Sequence, residues 1–317
     1  MIPLEWLELA GKRVSPRIVR TPVSFDSELN FYIKWENLQN TGSFKLRGAV
    51  NKVLTLEPWE RERGLVTASA GNHGQGLGVA AKISGSKAII FASEHAVPRK
   101  IEAMRSLGAE VNLIQGGYAA AERAAINFAT ENKLTWVSPY NDINVICGQG
   151  TLGLELLDQL DMGTIRSVIV PVGGGGLISG IGISIQNLNP KPKLIGIQSE
   201  ASAFMHALFN CEDQSKVAEW DSLADGLAGA VEEGSITIPL VRSFVDEVFL
   251  VTEEEIEAAI VLAWTRYKQV IEGSAAVALA GAMKGTIIDK PAVVIISGGN
   301  IQTELHQKLL SRHGVRL

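Results

Sequence analysis

The chain has 317 residues, of which 46% are hydrophobic and 20% charged, with a net charge of −5. That length exceeds the usual single domain and predicts two lobes or one large α/β unit around a substantial core. The two signs are mixed along the sequence without a basic stripe, which argues against a nucleic-acid partner and for a small-molecule one. Cys147 and Cys211 stand far apart and the five histidines are scattered, so neither a disulfide framework nor a zinc site is expected. No apolar run reaches the roughly 18–20 residues of a membrane span. The N-terminal residues carry early acids and no basic lead, so a cytoplasmic protein is expected.

In chain order, strand-like and helix-like runs alternate, the pattern of mostly parallel sheets flanked by helices. A short helix near residues 4–10, an extended piece at 20–23 and a strand at 31–36 lead into Gln39-Asn40-Thr41-Gly42-Ser43-Phe44-Lys45-Leu46-Arg47-Gly48. A helix is predicted over 43–54 with Ser43 as its N-cap, because a serine hydroxyl can accept from a first-turn amide. Lys45 then lies in the first turn, where the positive end of the helix dipole disfavours an ammonium. Such a lysine is either a solvated side chain or an amine prepared for Schiff-base chemistry.

Strands at 65–69, 87–92, 110–114 and 134–137 alternate with helices at 73–84, 98–107 and 118–132. Pro98 suits a first helical position and Gly108 a stop. Residues 63–139 read as a small domain inserted into a larger one made of 1–62 and 140–317. The larger part continues with a helix from 145 that carries Gly148, Gly150 and Gly153. Glycine costs a helix about 1 kcal/mol against alanine, so this density implies close packing or a ligand nearby. A strand at 168–172, the run Gly173-Gly174-Gly175-Gly176-Leu177, a helix to 188 and a strand at 194–198 follow. Residues 210–235 read as irregular around Ala224-Asp225-Gly226. Thr252 and Glu255 form a capping box that opens a helix to 269. A helix at 274–283 and a strand at 292–296, ending in Ser297-Gly298-Gly299-Asn300, complete the chain, with no repeat and no low-complexity linker.

Three of these stretches can carry chemistry. The glycine run stands between a strand and a helix, where bare amides and the helix N-terminus face an anion. It lacks the GK[ST] of a nucleotide P-loop. A dinucleotide unit ending at Glu200 is a rival, but its spacing requires glycine or alanine where Ser179 stands. Ser69-Ala70-Gly71-Asn72-His73-Gly74 also joins a strand to a helix, a place that attracts a carboxylate. Asn72 could equally be an N-cap.

Taken with Lys45, in order and in context, these stretches resemble the fold-type II pyridoxal 5'-phosphate (PLP) enzymes over nearly the whole chain. The nearest branch is that of the serine/threonine dehydratases and serine racemases. The resemblance implies an α/β fold of two lobes, each a mostly parallel twisted sheet flanked by helices, with the site between them in a homodimer or higher homo-oligomer. Lys45 would bear PLP as a Schiff base and, once displaced by an amino-acid substrate, remove its Cα proton. Gly173, Gly174, Gly175, Gly176 and Leu177 would seat the phosphate, Asn72 would bond the phenolic oxygen, and Ser297 would face the pyridine nitrogen. A hydroxyl there leaves the ring a weaker electron sink, which suits elimination. Phe44 would pack near the cofactor or serve as a core aromatic. Ser69, Ala70, Gly71, Asn72 and His73 would hold the substrate carboxylate, with no proton-transfer role for His73. Glu272, Asp225 and Gly226 match pocket-lining positions without an assigned role.

The implied reaction converts L-threonine or L-serine to a 2-keto acid and ammonia. A lyase for 3-hydroxyaspartate or a bulkier β-hydroxy amino acid, a serine racemase, and a catalytically silent binder of PLP or amino acids are the alternatives. Racemases of this branch carry a second serine where this chain has Ala70, which favours dehydration. Some relatives hold a divalent cation with a glutamate and a nearby aspartate. Glu200 is present, but His206 replaces the aspartate, and a hard cation prefers oxygen, so no metal is expected.

Overall fold

The computed structural model describes residues 2–284 and 289–315. Within them, the apolar runs become ten strands in two sheets. The first sheet has β1 (Val23–Asp26), β2 (Phe31–Trp35), β7 (Ser167–Pro171), β8 (Lys193–Ser199), β9 (Glu247–Val251) and β10 (Ala292–Ile296), in the order β1-β2-β10-β7-β8-β9. Only the β1–β2 pair is antiparallel. The second sheet, all parallel, orders β3 (Leu65–Ala68), β4 (Ala88–Ser93), β5 (Glu110–Ile114) and β6 (Thr135–Trp136) as β5-β4-β3-β6. Every residue of β7 and β10 is buried, as expected of parallel strands covered on both faces.

Among the described residues, thirteen α-helices cover the sheets: α1 (Leu4–Val14), α2 (Lys45–Thr55), α3 (Pro58–Arg63), α4 (Asn72–Ser84), α5 (Pro98–Ser106), α6 (Tyr118–Glu131), α7 (Ile143–Gln159), α8 (Gly176–Ile185), α9 (Phe204–Phe209), α10 (Thr237–Phe244), α11 (Glu253–Tyr267), α12 (Gly273–Met283) and α13 (Thr303–Arg312). One face of the six-stranded sheet packs on α1, α7, α8 and α10, through residues such as Leu7, Leu152, Ile181 and Val241. The other packs on α11–α13, through Ile260, Leu279 and Leu309. Beneath the smaller sheet, Leu46, Val50 and Val53 of α2 meet Leu77 of α4 and Met104 of α5. On its far face, Ala121, Ala125 and Ala129 of α6 present one small-residue stripe at helical spacing. No helix among the described residues is long and apolar enough to cross a membrane.

The glycines of α7 do serve close packing. A Cβ on Gly150 would lie 2.7 Å from the Gly180 carbonyl of α8, and one on Gly180 would lie 2.6 Å from the Gly150 amide. The capping box at Thr252 and Glu255 is formed as predicted, and residues 210–235 hold two short 3-10 turns in irregular chain. Three expectations need correction. The first helix runs on to Val14. The strand placed at 134–137 shrinks to Thr135–Trp136, although the Val137 amide still bonds Val66 O. Ser43 is not an N-cap. Its backbone bridges Gly298, its Oγ is buried without a partner, and the helix begins at Lys45. The cause is tertiary, since the chain before Lys45 is tied to the end of β10, where the Phe44 amide donates to Ser297 O at 3.0 Å.

Candidate active site

Parallel strands place their following loops at one end, which is where open α/β sheets bind ligands. Here the glycine run follows β7, Ser297 follows β10 and the Ser69–His73 loop follows β3. Lys45 joins them through the Phe44–Ser297 bond and the Ser43–Gly298 bridge. Gly76 of α4 packs against the Lys45 backbone, where a Cβ would come within 3.2 Å of its carbonyl.

Lys45 Nζ donates to Pro139 O at 2.9 Å and lies 5.3 Å from the centre of the Phe44 ring. Burial pushes its pKa down to about 8, against the opposing pull of the Glu272 carboxylate. Desolvation, more than the helix dipole invoked from sequence, thus makes this amine unusually easy to deprotonate. Glu272 itself is pushed up to about 7 by burial, with the nearby Asp225 charge adding to the effect and Lys100 and Asn72 opposing it.

Asn72 is the first residue of α4 and not its N-cap. Its Nδ2 donates to Glu272 Oε1 at 2.6 Å, and its Oδ1 accepts from Asn300 Nδ2 at 2.7 Å. Clamped at both ends, the amide keeps a second N–H free to donate. In the same loop, Ser69 Oγ accepts from the amides of Gly71 and Gly74. The amides of Asn72 and His73 have no partner among the described residues. The Gly71 amide, expected to serve the substrate, is therefore engaged within the loop. Ala70 is exposed. His73 turns inward, its Nε2–H donating to Val137 O at 3.1 Å, and its pKa is pushed down to about 3 by burial and the Lys45 charge, so the ring is neutral with its one proton engaged by the backbone.

The glycine run provides the most telling geometry. No backbone amide from Gly173 to Leu177 has a hydrogen-bond partner among the described residues. Buried amides are normally paired, so the unpaired amides of buried Gly175, Gly176 and Leu177, with those of half-buried Gly173 and Gly174 before them, form a cradle suited to an anion at a helix N-terminus. Gly175 has φ +83°, the left-handed backbone that turns the run. The Tyr140 ring lies against Gly174, where a Cβ would sit 2.5 Å from it, and Tyr140 Oη accepts from the Glu232 amide. The Leu177 side chain itself points into the core.

A model of the family described as pyridoxal-phosphate dependent enzyme matches residues 14–298. The chain belongs to the pyridoxal-phosphate dependent enzymes. PLP is accordingly its cofactor. The chain is similar to the L-threonine ammonia-lyase of Thermotoga maritima, 40% identical over 319 residues that cover 98% of this chain and 79% of that one. Among solved structures, it is similar to processed threonine deaminase isoform 2 of Solanum lycopersicum (TM-score 0.89, 32% identity, 98% and 94% of the two chains). It is also similar to serine racemase of Dictyostelium discoideum (TM-score 0.85, 36% identity, 95% and 99%). Membership disposes of the dinucleotide rival, although the β7-α8-β8 unit has the connectivity that suggested it.

The groups a PLP enzyme needs are present: a buried primary amine, an anion cradle and an oriented amide donor. Sequence reasoning missed Tyr140, Lys100 and Pro139 O, and quoted Asn300 only as part of a turn. None carries a local signal, because each acts on a partner brought near by the fold.

Proposed function

We infer that the chain is a PLP-dependent ammonia-lyase that converts L-threonine or L-serine to a 2-keto acid and ammonia. The observation that carries this reading is the meeting of the buried Lys45 amine with the unpaired amides of Gly173–Leu177 and the clamped Asn72 at one end of the sheets. When bound, PLP supplies an electron sink for the charge left at Cα when its proton departs. Lys45 Nζ is the amine that would hold the cofactor and the base that would take the Cα proton. The amides of Gly173, Gly174, Gly175, Gly176 and Leu177 would hold the phosphate. Asn72 Nδ2, with a hydrogen to spare, would serve the phenolic oxygen, Ser297 the ring nitrogen, and Phe44 would pack beside the ring. The Ser69–His73 loop seats the substrate carboxylate on the Asn72 and His73 amides.

A racemase reading draws on the similarity to the Dictyostelium enzyme. A racemase needs a second group to move a proton on the opposite face, and the Ala70 methyl has none to give. The buried, neutral His73 does not replace it. We further propose that residues 63–139 form the inserted lobe and that the protein is a cytoplasmic homo-oligomer. The half-exposed Phe25 of edge strand β1, its ring tilted against that of Tyr32 with centres 4.6 Å apart, supports a subunit contact there.

The test is the variant Lys45→Ala. It should lose turnover and the visible band of the bound cofactor while keeping its far-UV circular dichroism. Retained turnover would refute the assignment.

A further inference from the structure

Lys100, in the first turn of α5, reaches across the mouth of the site to Asp225, which opens the turn Asp225–Leu227 on the opposite side, with Nζ 3.1 Å from Oδ2. The two partners are unlike in exposure, at 19% for the lysine side chain and 63% for the aspartate. The lysine stem also lies over Gly71, where a Cβ would meet Lys100 Cδ at 3.6 Å and Nζ at 3.8 Å. An ammonium has three donors, and Asp225 is its one hydrogen-bond partner among the described residues. The remaining donors stand beside the loop whose Asn72 and His73 amides are unpaired. A carboxylate arriving there also approaches Glu272 and Asp225, two acids that would repel it. Lys45 is committed to the cofactor, so Lys100 is the ammonium left, among the described residues, to offset that repulsion.

We propose that Lys100 is a specificity-determining residue that recognises the substrate α-carboxylate, exchanging Asp225 for it on binding. The inference rests on the reading above that an amino acid is held at the Ser69–His73 loop. The carboxylate takes the Lys100 ammonium on one oxygen and the Asn72 and His73 amides on the other. Asp225 holds the lysine over the loop while no substrate is present.

The experiment titrates the visible band of the full chain, reconstituted with PLP, using L-threonine and L-threoninamide, which lacks the carboxylate. Lys100→Met should weaken L-threonine about 10- to 100-fold, the range of a charge-assisted hydrogen bond. The same variant should change L-threoninamide less than about twofold. Lys100→Arg should recover most of the loss. Asp225→Asn, which frees the ammonium from its competitor, should tighten L-threonine and serves if Lys100→Met does not fold. Equal weakening of both ligands by Lys100→Met would overturn the proposal, as would an Asp225→Asn variant that binds L-threonine no tighter. A wild-type band that responds to neither ligand would overturn it too. A band that responds to L-threonine without release of a 2-keto acid would defeat the lyase reading and leave the comparison of the two ligands decisive for Lys100.

Discussion

Lys45 and His73 are the two bases buried nearest the reacting end of the sheets, and burial acts on both in the same direction. For Lys45, a pKa near 8 means that the neutral, nucleophilic amine becomes available more than two pH units below an ordinary lysine. The rate at which the cofactor-free protein captures PLP should therefore rise through about pH 8, and stopped-flow absorption would show a midpoint near 10.5 if burial had no such effect. For His73 the consequence is for stability. The unfolded chain takes up its proton near pH 6.5 and the folded chain only near 3, so between those values the unfolded state binds more protons. Stability contributed at neutral pH is then lost as pH falls, by about 1.4 kcal/mol per unit. Glu272 acts with the opposite sign between about 4.5 and 7, because its raised pKa favours the protonated folded state. The comparison must therefore be between wild type and His73→Gln. In urea melts at pH 7 and pH 5, the variant should lose less stability on acidification, and parallel losses would contradict the assignment. The placement of Lys45, Asn72 and Ser297 in turns that follow strands was legible in the sequence because the signals are local: a strand on one side and glycine close by on the other. The wrong cap at Ser43 and the unforeseen partners Tyr140 and Asn300 share one cause. Their contacts lie far along the chain: Ser43 meets Gly298 because β2 and β10 pair, Asn300 reaches Asn72, and Tyr140 packs on Gly174.

At the scale of elements, the helix pair α7 and α8 shows what glycine density means. Gly150 and Gly180 let the two backbones touch, and a methyl on Gly180 would meet the Gly150 amide and the Ile146 carbonyl, each at 2.6 Å. Backbone cannot rotate aside as a side chain can. Gly180→Ala should destabilise the protein by about 1–3 kcal/mol in urea unfolding. A gain, of the size that alanine brings to an unobstructed helix, would contradict the packing. The sequence showed that something had to come close, but not what. Helix starts were legible where punctuation is chemical, as at Thr252 and Pro98, while the end of α1 was not, because the helix runs past residue 10 to Val14.

Over the whole molecule, alternating strands and helices revealed two mostly parallel sheets, while the strand order β1-β2-β10-β7-β8-β9 depends on pairings between distant segments that no local pattern encodes. The same is true of the buried ion network beneath the site. Arg47, wholly buried, pairs with Glu36 at 2.7 Å and Glu155 at 2.8 Å, and Glu155 also holds Lys34 at 2.6 Å. These contacts join α2 to β2, to the 3-10 turn after it and to α7, two residues beyond Lys45. Arg47→Met would leave buried carboxylates uncompensated and should cost about 3–5 kcal/mol in unfolding free energy. A loss below about 1 kcal/mol would show that the network does not brace the fold. The central claim concerns turnover, and it is tested most directly by ammonia and 2-keto acid release from a panel of β-hydroxy amino acids with PLP supplied. Release from L-threonine or L-serine, lost in Lys45→Ala, is the predicted result. Silence on both substrates, with the visible cofactor band in place, would contradict it.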